Sequence, residues 1–454
     1  MRSARRPRQF FLLVVDVGML LLCLFVALLL RHRAVPSQEL WWSLVTSFLP
    51  SWFVWIISFY TADLYNIERE FDDLRFAGRL FGAVAVGGLF SALIFYLDNK
   101  NTNPKTILAL YAGSLFAVLW LWRFSYARLS RRYLPKRATA FVGIDETVAE
   151  LIAEIETRDR LGYEAAAFLD EKGTAPAGLK ARVLRSRELF LKAVQERGVS
   201  LVVVTDESGL SEKTRRALLD LIDRPVRFIR LPDFYEHYLR KIPVGTINDL
   251  WFLENIDLTG KARYRIVKRA FDIGLSLLAL AVCLAPSVLI ALGIKLSGRG
   301  PVLFRQERLG RAGLRFQILK FRTMKVDGNT FAPTEERDPR VTAFGSFLRA
   351  FRLDEIPQVL NILVGEMSFI GPRPERPELV AELERAIPYY RQRLLVKPGI
   401  AGWDQVSGEY HSPSVEDTYK KLQYDLYYIK NMSVLLDFSI FFKTIMTMLG
   451  RKGR

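Results

Sequence analysis

The sequence predicts three joined parts: an α-helical membrane domain of four spans, a Rossmann-like α/β lobe, and a re-entrant membrane hairpin leading into a mainly α, α/β domain. Three observations carry this. Four apolar runs of spanning length precede residue 130. Strand-like and helix-like stretches then alternate to about residue 256. A last long apolar run, 271–296, contains Pro286 and has cations at both ends. The implied boundaries are 1–137, 138–260 and 261–454. About three units of domain size suit the length.

Residues 10–30 are apolar except for Asp16, and the run exceeds the h-region of a signal peptide. Runs 40–60, 80–97 and 106–122 complete four spans. Arg2, Arg5, Arg6 and Arg8 place the N-terminus in the cytoplasm; Arg123, Arg128, Arg131, Arg132, Lys136 and Arg137 place the end of span four there too. The loop at 98–105 is nearly free of such charge, as an outer loop should be, whereas Arg31 and Arg33 go against the rule. Trp41, Trp42, Trp52, Trp55, Trp120 and Trp122 suit interface belts.

Composition agrees. Half the residues are hydrophobic and mean hydropathy is +0.12, high for a soluble protein. Net charge is +17, so anionic partners are expected. Cys23 and Cys283 both lie in apolar runs, which argues against a disulfide framework or zinc site. His32, His237 and His411 are too scattered for a histidine-based centre.

In the lobe, strands are expected at 138–144, 165–169, 201–205 and 226–229, and helices at 147–158, 187–197 and 211–222. Such alternation implies a parallel, doubly wound sheet. The first strand–helix turn, Val142-Gly143-Ile144-Asp145-Glu146-Thr147, lacks two of the glycines of a dinucleotide fingerprint and puts acids where pyrophosphate would approach. A structural or regulatory role fits it better than cofactor binding.

Lys261, Arg263, Arg265, Lys268 and Arg269 precede run 271–296; Lys295, Arg299, Arg305, Arg308 and Arg311 follow it. Cations on both flanks keep both ends in the cytoplasm, and Ala285-Pro286 supplies a place to turn back. The ordinary alternative is a fifth span.

The chemical content lies between residues 320 and 375. Asp354-Glu355 stands among arginines and Lys320, just before Pro357 and an apolar stretch that reads as a buried helix. A carboxylate can attack phosphorus, a second can hold Mg²⁺, and arginines clamp phosphoryl oxygens. From the dipeptide alone, an exposed acidic helix start is the ordinary reading. Run 433–449 suits either an amphipathic helix at the membrane surface or a core helix.

Four motifs in order change that balance: Lys320-Phe321-Arg322-Thr323-Met324; Arg349 with Asp354-Glu355 and Pro357-Gln358; Gly371-Pro372-Arg373-Pro374-Glu375; and Lys397-Pro398-Gly399. Through them the chain from about residue 264 resembles the bacterial sugar transferases that prime exopolysaccharide synthesis, the monotopic polyprenyl-phosphate sugar-1-phosphate transferases. The front half looks like the long-form members. Phe234-Tyr235-Glu236 and residues 422–429 look like the exosortase-associated subgroup. The resemblance implies an enzyme of the bacterial inner membrane with its catalytic domain on the cytoplasmic face. Asp354 would attack the β-phosphorus of a UDP-sugar, expel UMP, and pass the phosphosugar to undecaprenyl phosphate. Glu355 would ligate Mg²⁺. Lys320, Arg322, Arg349 and Arg373 would contact phosphate. UDP-sugar, undecaprenyl phosphate, membrane lipid and a second copy of the chain are the implied partners, with no nucleic acid. Two departures stand out: Ala285-Pro286 where the family often has Ser-Pro, and Asp404 where it often has a small residue.

Two rival classes compete with this. A membrane-tethered nucleotide-sugar dehydratase or epimerase would need a glycine-rich fingerprint and a Tyr-x-x-x-Lys pair; Tyr264 with Lys268 is the one such pair in or next to the lobe. A non-catalytic assembly scaffold would not depend on Asp354.

Overall fold

The computed structural model describes residues 2–65, 74–97, 105–133, 136–157, 163–171, 183–205, 210–325, 338–407 and 414–449. Two compact units divide at Tyr235/Glu236.

The first unit opens with helices α1 (Arg2–His32), α2 (Gln38–Thr61), α3 (Leu74–Leu97) and α4 (Lys105–Tyr133). Within them Phe10–His32, Gln38–Thr61, Phe76–Leu97 and Ile107–Leu129 are long and apolar enough to cross a membrane. Of the expected outer loop at 98–105, residues 98–104 lie outside the described residues. Asp16, the lone acid of the first run, is buried and accepts from Arg123 Nη2 at 2.7 Å. Arg123 therefore joins α1 to α4 inside the bundle instead of marking its cytoplasmic rim, because a buried carboxylate needs a partner. Trp55, expected at an interface, is fully buried and donates Nε1–H to Ser91 Oγ at 2.9 Å.

The lobe runs β1 (Arg137–Val142), α5 (Glu146–Thr157), β2 (Tyr163–Leu169), β3 (Val183–Leu184), α6 (Arg187–Glu196), β4 (Leu201–Val204), α7 (Glu212–Leu219), β5 (Arg227–Arg230) and α8 (Leu231–Leu239). Its sheet is wholly parallel in the order β3-β2-β1-β4-β5, as alternating elements require. β3 and α8 were not legible in the sequence. At the end of β1, Asp145 Oδ1 accepts from Val148 N at 2.7 Å and caps α5. Thr205 Oγ1 donates to Gly143 O at 2.9 Å across the crevice.

The second unit takes in more than the sequence boundary at 260 allows. Ile242, Val244, Ile247 and Trp251 share a buried cluster with Ile370, Tyr390 and Leu426. These apolar residues are buried with downstream ones, so from α8 onward the chain up to residue 260 belongs to the second unit, which begins within α8 at Glu236. After α9 (Asp249–Asn255) comes α10 (Ala262–Leu296), a continuous helix that stays helical through Ala285 and Pro286. Its first third is tied by polar bonds. Tyr264 OH and Lys268 Nζ donate to Asp437 Oδ2 at 2.7 and 2.8 Å; Asp272 Oδ1 accepts from Ser368 Oγ at 3.0 Å and Phe369 N at 3.1 Å. The Tyr264–Lys268 pair thus has a structural use. In the last third, Ile290 and Ile294 pack with Phe321 and Leu348. Between them Leu277, Leu278, Val282, Leu284, Val288 and Leu289 are exposed.

The remaining elements are the antiparallel pair β6 (Leu303–Leu309) and β7 (Arg315–Phe321), then α11 (Ala343–Ala350), α12 (Gln358–Val364), β8 (Ser368–Ile370), α13 (Pro377–Ala386), β9 (Gly399–Ala401), α14 (Val415–Asn431) and α15 (Val434–Leu449). β8 and β9 pair in parallel. α15 behaves mainly as a core helix: Ile440 is fully buried and Phe438 meets Phe271 edge-on at 5.2 Å.

Candidate active site

The site is built where β7, α12 and the Gly371–Glu375 segment meet. Asn361 clamps α12 onto β7. Its Nδ2 donates to Gln317 O at 2.8 Å and Glu366 Oε2 at 2.7 Å, and its Oδ1 accepts from Leu319 N at 3.1 Å. Ahead of α12 the chain makes a 3-10 turn, Leu353–Glu355, with Pro357 at the N-cap of α12. Arg352 enters this turn in the left-handed region at φ 53°. Such backbone costs on the order of 1–3 kcal/mol in a non-glycine residue and persists where its surroundings hold it. Asp354-Glu355 is thereby presented beside Lys320 at the end of β7.

The two carboxylates differ. Glu355 Oε1 accepts from Lys320 Nζ at 3.2 Å and from Arg373 Nη2 at 3.0 Å. Burial pushes its carboxyl up, but Arg373, Lys320 and Arg352 outweigh this and hold it at about 2. Asp354 accepts from no other side chain among the described residues, although it is only 9% exposed. Burial raises its pKa above the ordinary value and Glu355 adds to the rise; Lys320 and Arg349 oppose it. Burial likewise lowers the pKa of Lys320, against the pull of Glu355.

The predicted cations separate into two groups. Lys320 and Arg373 meet at Glu355. Arg349 stands near, its Nε donating to Thr323 Oγ1 at 2.9 Å. Arg322 does not join them. Its Nη1 donates to Arg299 O at 2.7 Å, and its Nη2 to Ile294 O at 3.1 Å and Gly298 O at 2.7 Å. It caps the end of α10, where carbonyls lack helical partners. A strand alternates its side chains, yet Arg322 lies one residue past β7, so alternation could not place it. Thr323 and Asn361 carry no chemistry of their own, and sequence reasoning passed over both.

Arg373 sits on a loop that two motifs build together. Gly371 N donates to Ala401 O, and Gly399 N to Pro372 O, both at 2.9 Å. A Cβ on Gly399 would fall 2.1 Å from Gly371 N, and one on Gly371 would fall 2.5 Å from Lys397 O. The Gly-Pro-Arg and Lys-Pro-Gly motifs therefore meet backbone to backbone, which explains glycine at both positions. Ala285 and Pro286 lie far along α10 and are exposed.

No group of three or more His, Cys, Asp or Glu is placed to hold a metal among the described residues. Mg²⁺ needs less, since it often takes one or two carboxylates and shares the rest with substrate phosphates and water. Glu355 Oε2 carries no hydrogen bond among the described residues, and Asp354 is adjacent, so the pair fits an ion of that kind.

Comparison with known proteins gives two family matches. Residues 61–232 match a CoA-binding domain. At the end of β1 one amide of α5, Val148 N, is taken by the Asp145 carboxylate. Residues 263–451 match the bacterial sugar transferases. The chain is 39% identical over 245 residues to a UDP-glucose:undecaprenyl-phosphate glucose-1-phosphate transferase of Xanthomonas campestris pv. campestris, covering 52% of this chain and 50% of that one. It is 43% identical over 194 residues to a UDP-N-acetylgalactosamine-undecaprenyl-phosphate N-acetylgalactosaminephosphotransferase of Aeromonas hydrophila, covering 42% and 45%. The chain thus spans about half the length of these two relatives. A UDP-glucose:undecaprenyl-phosphate glucose-1-phosphate transferase of Escherichia coli (strain K12) is 30% identical over 365 residues, covering 79% of this chain and 78% of its own. With most of both chains aligned in that last case, and the four motifs gathered around one carboxylate pair, the chain belongs to the bacterial sugar transferase family.

Proposed function

We propose that this protein transfers a sugar-1-phosphate from a UDP-sugar to undecaprenyl phosphate and thereby starts exopolysaccharide synthesis. The observation that carries the proposal is the division of labour between neighbours: Glu355 is clamped by two cations, while Asp354 has no side-chain hydrogen bond among the described residues. Asp354 attacks the β-phosphorus. Its new O–P bond forms as the bond from that phosphorus to the bridging oxygen breaks, and UMP leaves with the oxygen and the electron pair. An oxygen of undecaprenyl phosphate then attacks the same phosphorus and releases the Asp354 carboxylate. Arg349 and Arg373 bind phosphoryl oxygens, and Lys320 holds Glu355 in place while adding positive charge. Mg²⁺ bound at Glu355 would neutralise charge on the diphosphate.

α10 supplies the anchor. Polar bonds at Arg269 and Asp272, and packing at Ile290 and Ile294, attach both ends of the helix to the same unit. Its exposed apolar middle suits a dip into one leaflet, and Pro286, which lacks an N–H for the helical ladder, is where the helix would bend to keep the site on the cytoplasmic face of the inner membrane.

Asp354→Asn tests the assignment. UMP release from a panel of UDP-sugars, with undecaprenyl phosphate and Mg²⁺, should fall by on the order of 10³-fold or more while membrane insertion is unchanged. Full activity in this variant would favour a scaffold role and end the nucleophile assignment.

A further inference from the structure

Behind the Arg373 loop lies a buried ion pair that the chemistry above does not use. Arg393, in the 3-10 stretch Tyr390–Leu395, is 6% exposed. Its Nη1 donates to Tyr390 OH at 2.5 Å. Its Nη2 donates to the main-chain oxygen of Arg373 at 2.9 Å and stands 2.9 Å from Asp425 Oδ2. Asp425 comes from α14, within the 422–429 stretch, and Tyr390 from the Pro388-Tyr389-Tyr390 segment. On the other side of the same residue, the Arg373 side chain donates to Glu355 Oε1 at 3.0 Å.

We infer that Arg393 is a positioning residue for phosphosugar transfer: held by Asp425 and Tyr390, it fixes the Arg373 main chain and so aims the Arg373 guanidinium at Glu355. The inference rests on the proposed function. A planar fork is needed because one end group must donate to a phenol and a carbonyl while lying against a carboxylate, which an ammonium does not reproduce. A buried pair that served stability alone could be replaced by apolar residues without loss. Here one of its donors is turned onto the backbone of a substrate-side arginine. Burial drives the Asp425 carboxyl up to about 7, and the Arg393 guanidinium beside it opposes the rise.

The test uses the full-length protein in membranes and follows UMP release. Arg393→Lys keeps a charge opposite Asp425, and the double variant Arg393→Gln/Asp425→Asn removes both charges together, so each avoids leaving one buried ion alone. Both should lower kcat by roughly ten-fold or more, as a small misplacement of a catalytic group does. In an Arg373→Lys background the same changes should cost little further, because they act through Arg373. Hydrogen exchange should rise across 371–376 and stay constant across 358–364. Unchanged kcat in Arg393→Lys, or losses that multiply in the Arg373→Lys background, would overturn the inference. A wild-type protein that releases no UMP would instead overturn the proposed function.

Discussion

Glu355 and Asp354 share a peptide bond and meet opposite electrostatic conditions. Glu355 is drawn from 4.5 to about 2 by its cations. Its pairing therefore stabilises the folded state above pH 4.5, and that contribution is lost as pH falls toward 2. Asp354 is raised from 3.8, so its sign is reversed: the folded state holds this proton more tightly, and the associated stability is lost as pH rises through the raised pKa. Under the proposed function activity follows Asp354, since only a carboxylate would attack. The acid limb of the rate profile should lie above pH 3.8 and should not report Glu355. Glu355→Gln removes a charge that raises the Asp354 pKa, so the limb of its residual activity should move to lower pH. Stopped single-turnover measurements across pH check this, and a move to higher pH would contradict it.

Short elements place these residues, and each is pinned by side chains outside the chemistry. Asn361 joins α12 to β7, Thr323 holds Arg349, and Arg322 closes the end of α10. The parallel pairing of β8 and β9 leaves no room for a side chain at either of its glycines. Gly399→Ala would place a methyl 2.1 Å from Gly371 N, against backbone that has nowhere to go. It should destabilise the unit by roughly 1–3 kcal/mol and lower UMP release through Arg373, read by thermal unfolding and activity together. Gly274→Ala is the control: nothing lies within 4 Å of its Cβ position inside α10, so it should be neutral or slightly stabilising.

At the scale of the whole molecule, the prediction concerns sidedness. A cysteine introduced at the exposed Ser346, on α11, should resist membrane-impermeant thiol reagents in intact cells and react once the cells are opened. Labelling in intact cells would make α10 a fifth span and remove the site from the cytoplasm. The apolar spans, the parallel lobe and the order of the four motifs were all legible from residue order, because spanning length, strand–helix alternation and motif spacing are local properties. The extent of the second unit was not, since Trp251 is buried by residues from well over a hundred positions downstream. Nor was the partner of Asp16, which lies 107 positions away. By itself the sequence determined which carboxylates, cations and glycines this protein has to work with. Tertiary packing alone decided that Arg373 and Lys320 meet at Glu355, that Arg322 does not, and that Asp354 has no side-chain hydrogen bond among the described residues. Periodicity along a chain is set by neighbouring residues, whereas the partner of a charge is set by whichever distant group the folded core brings within hydrogen-bond reach.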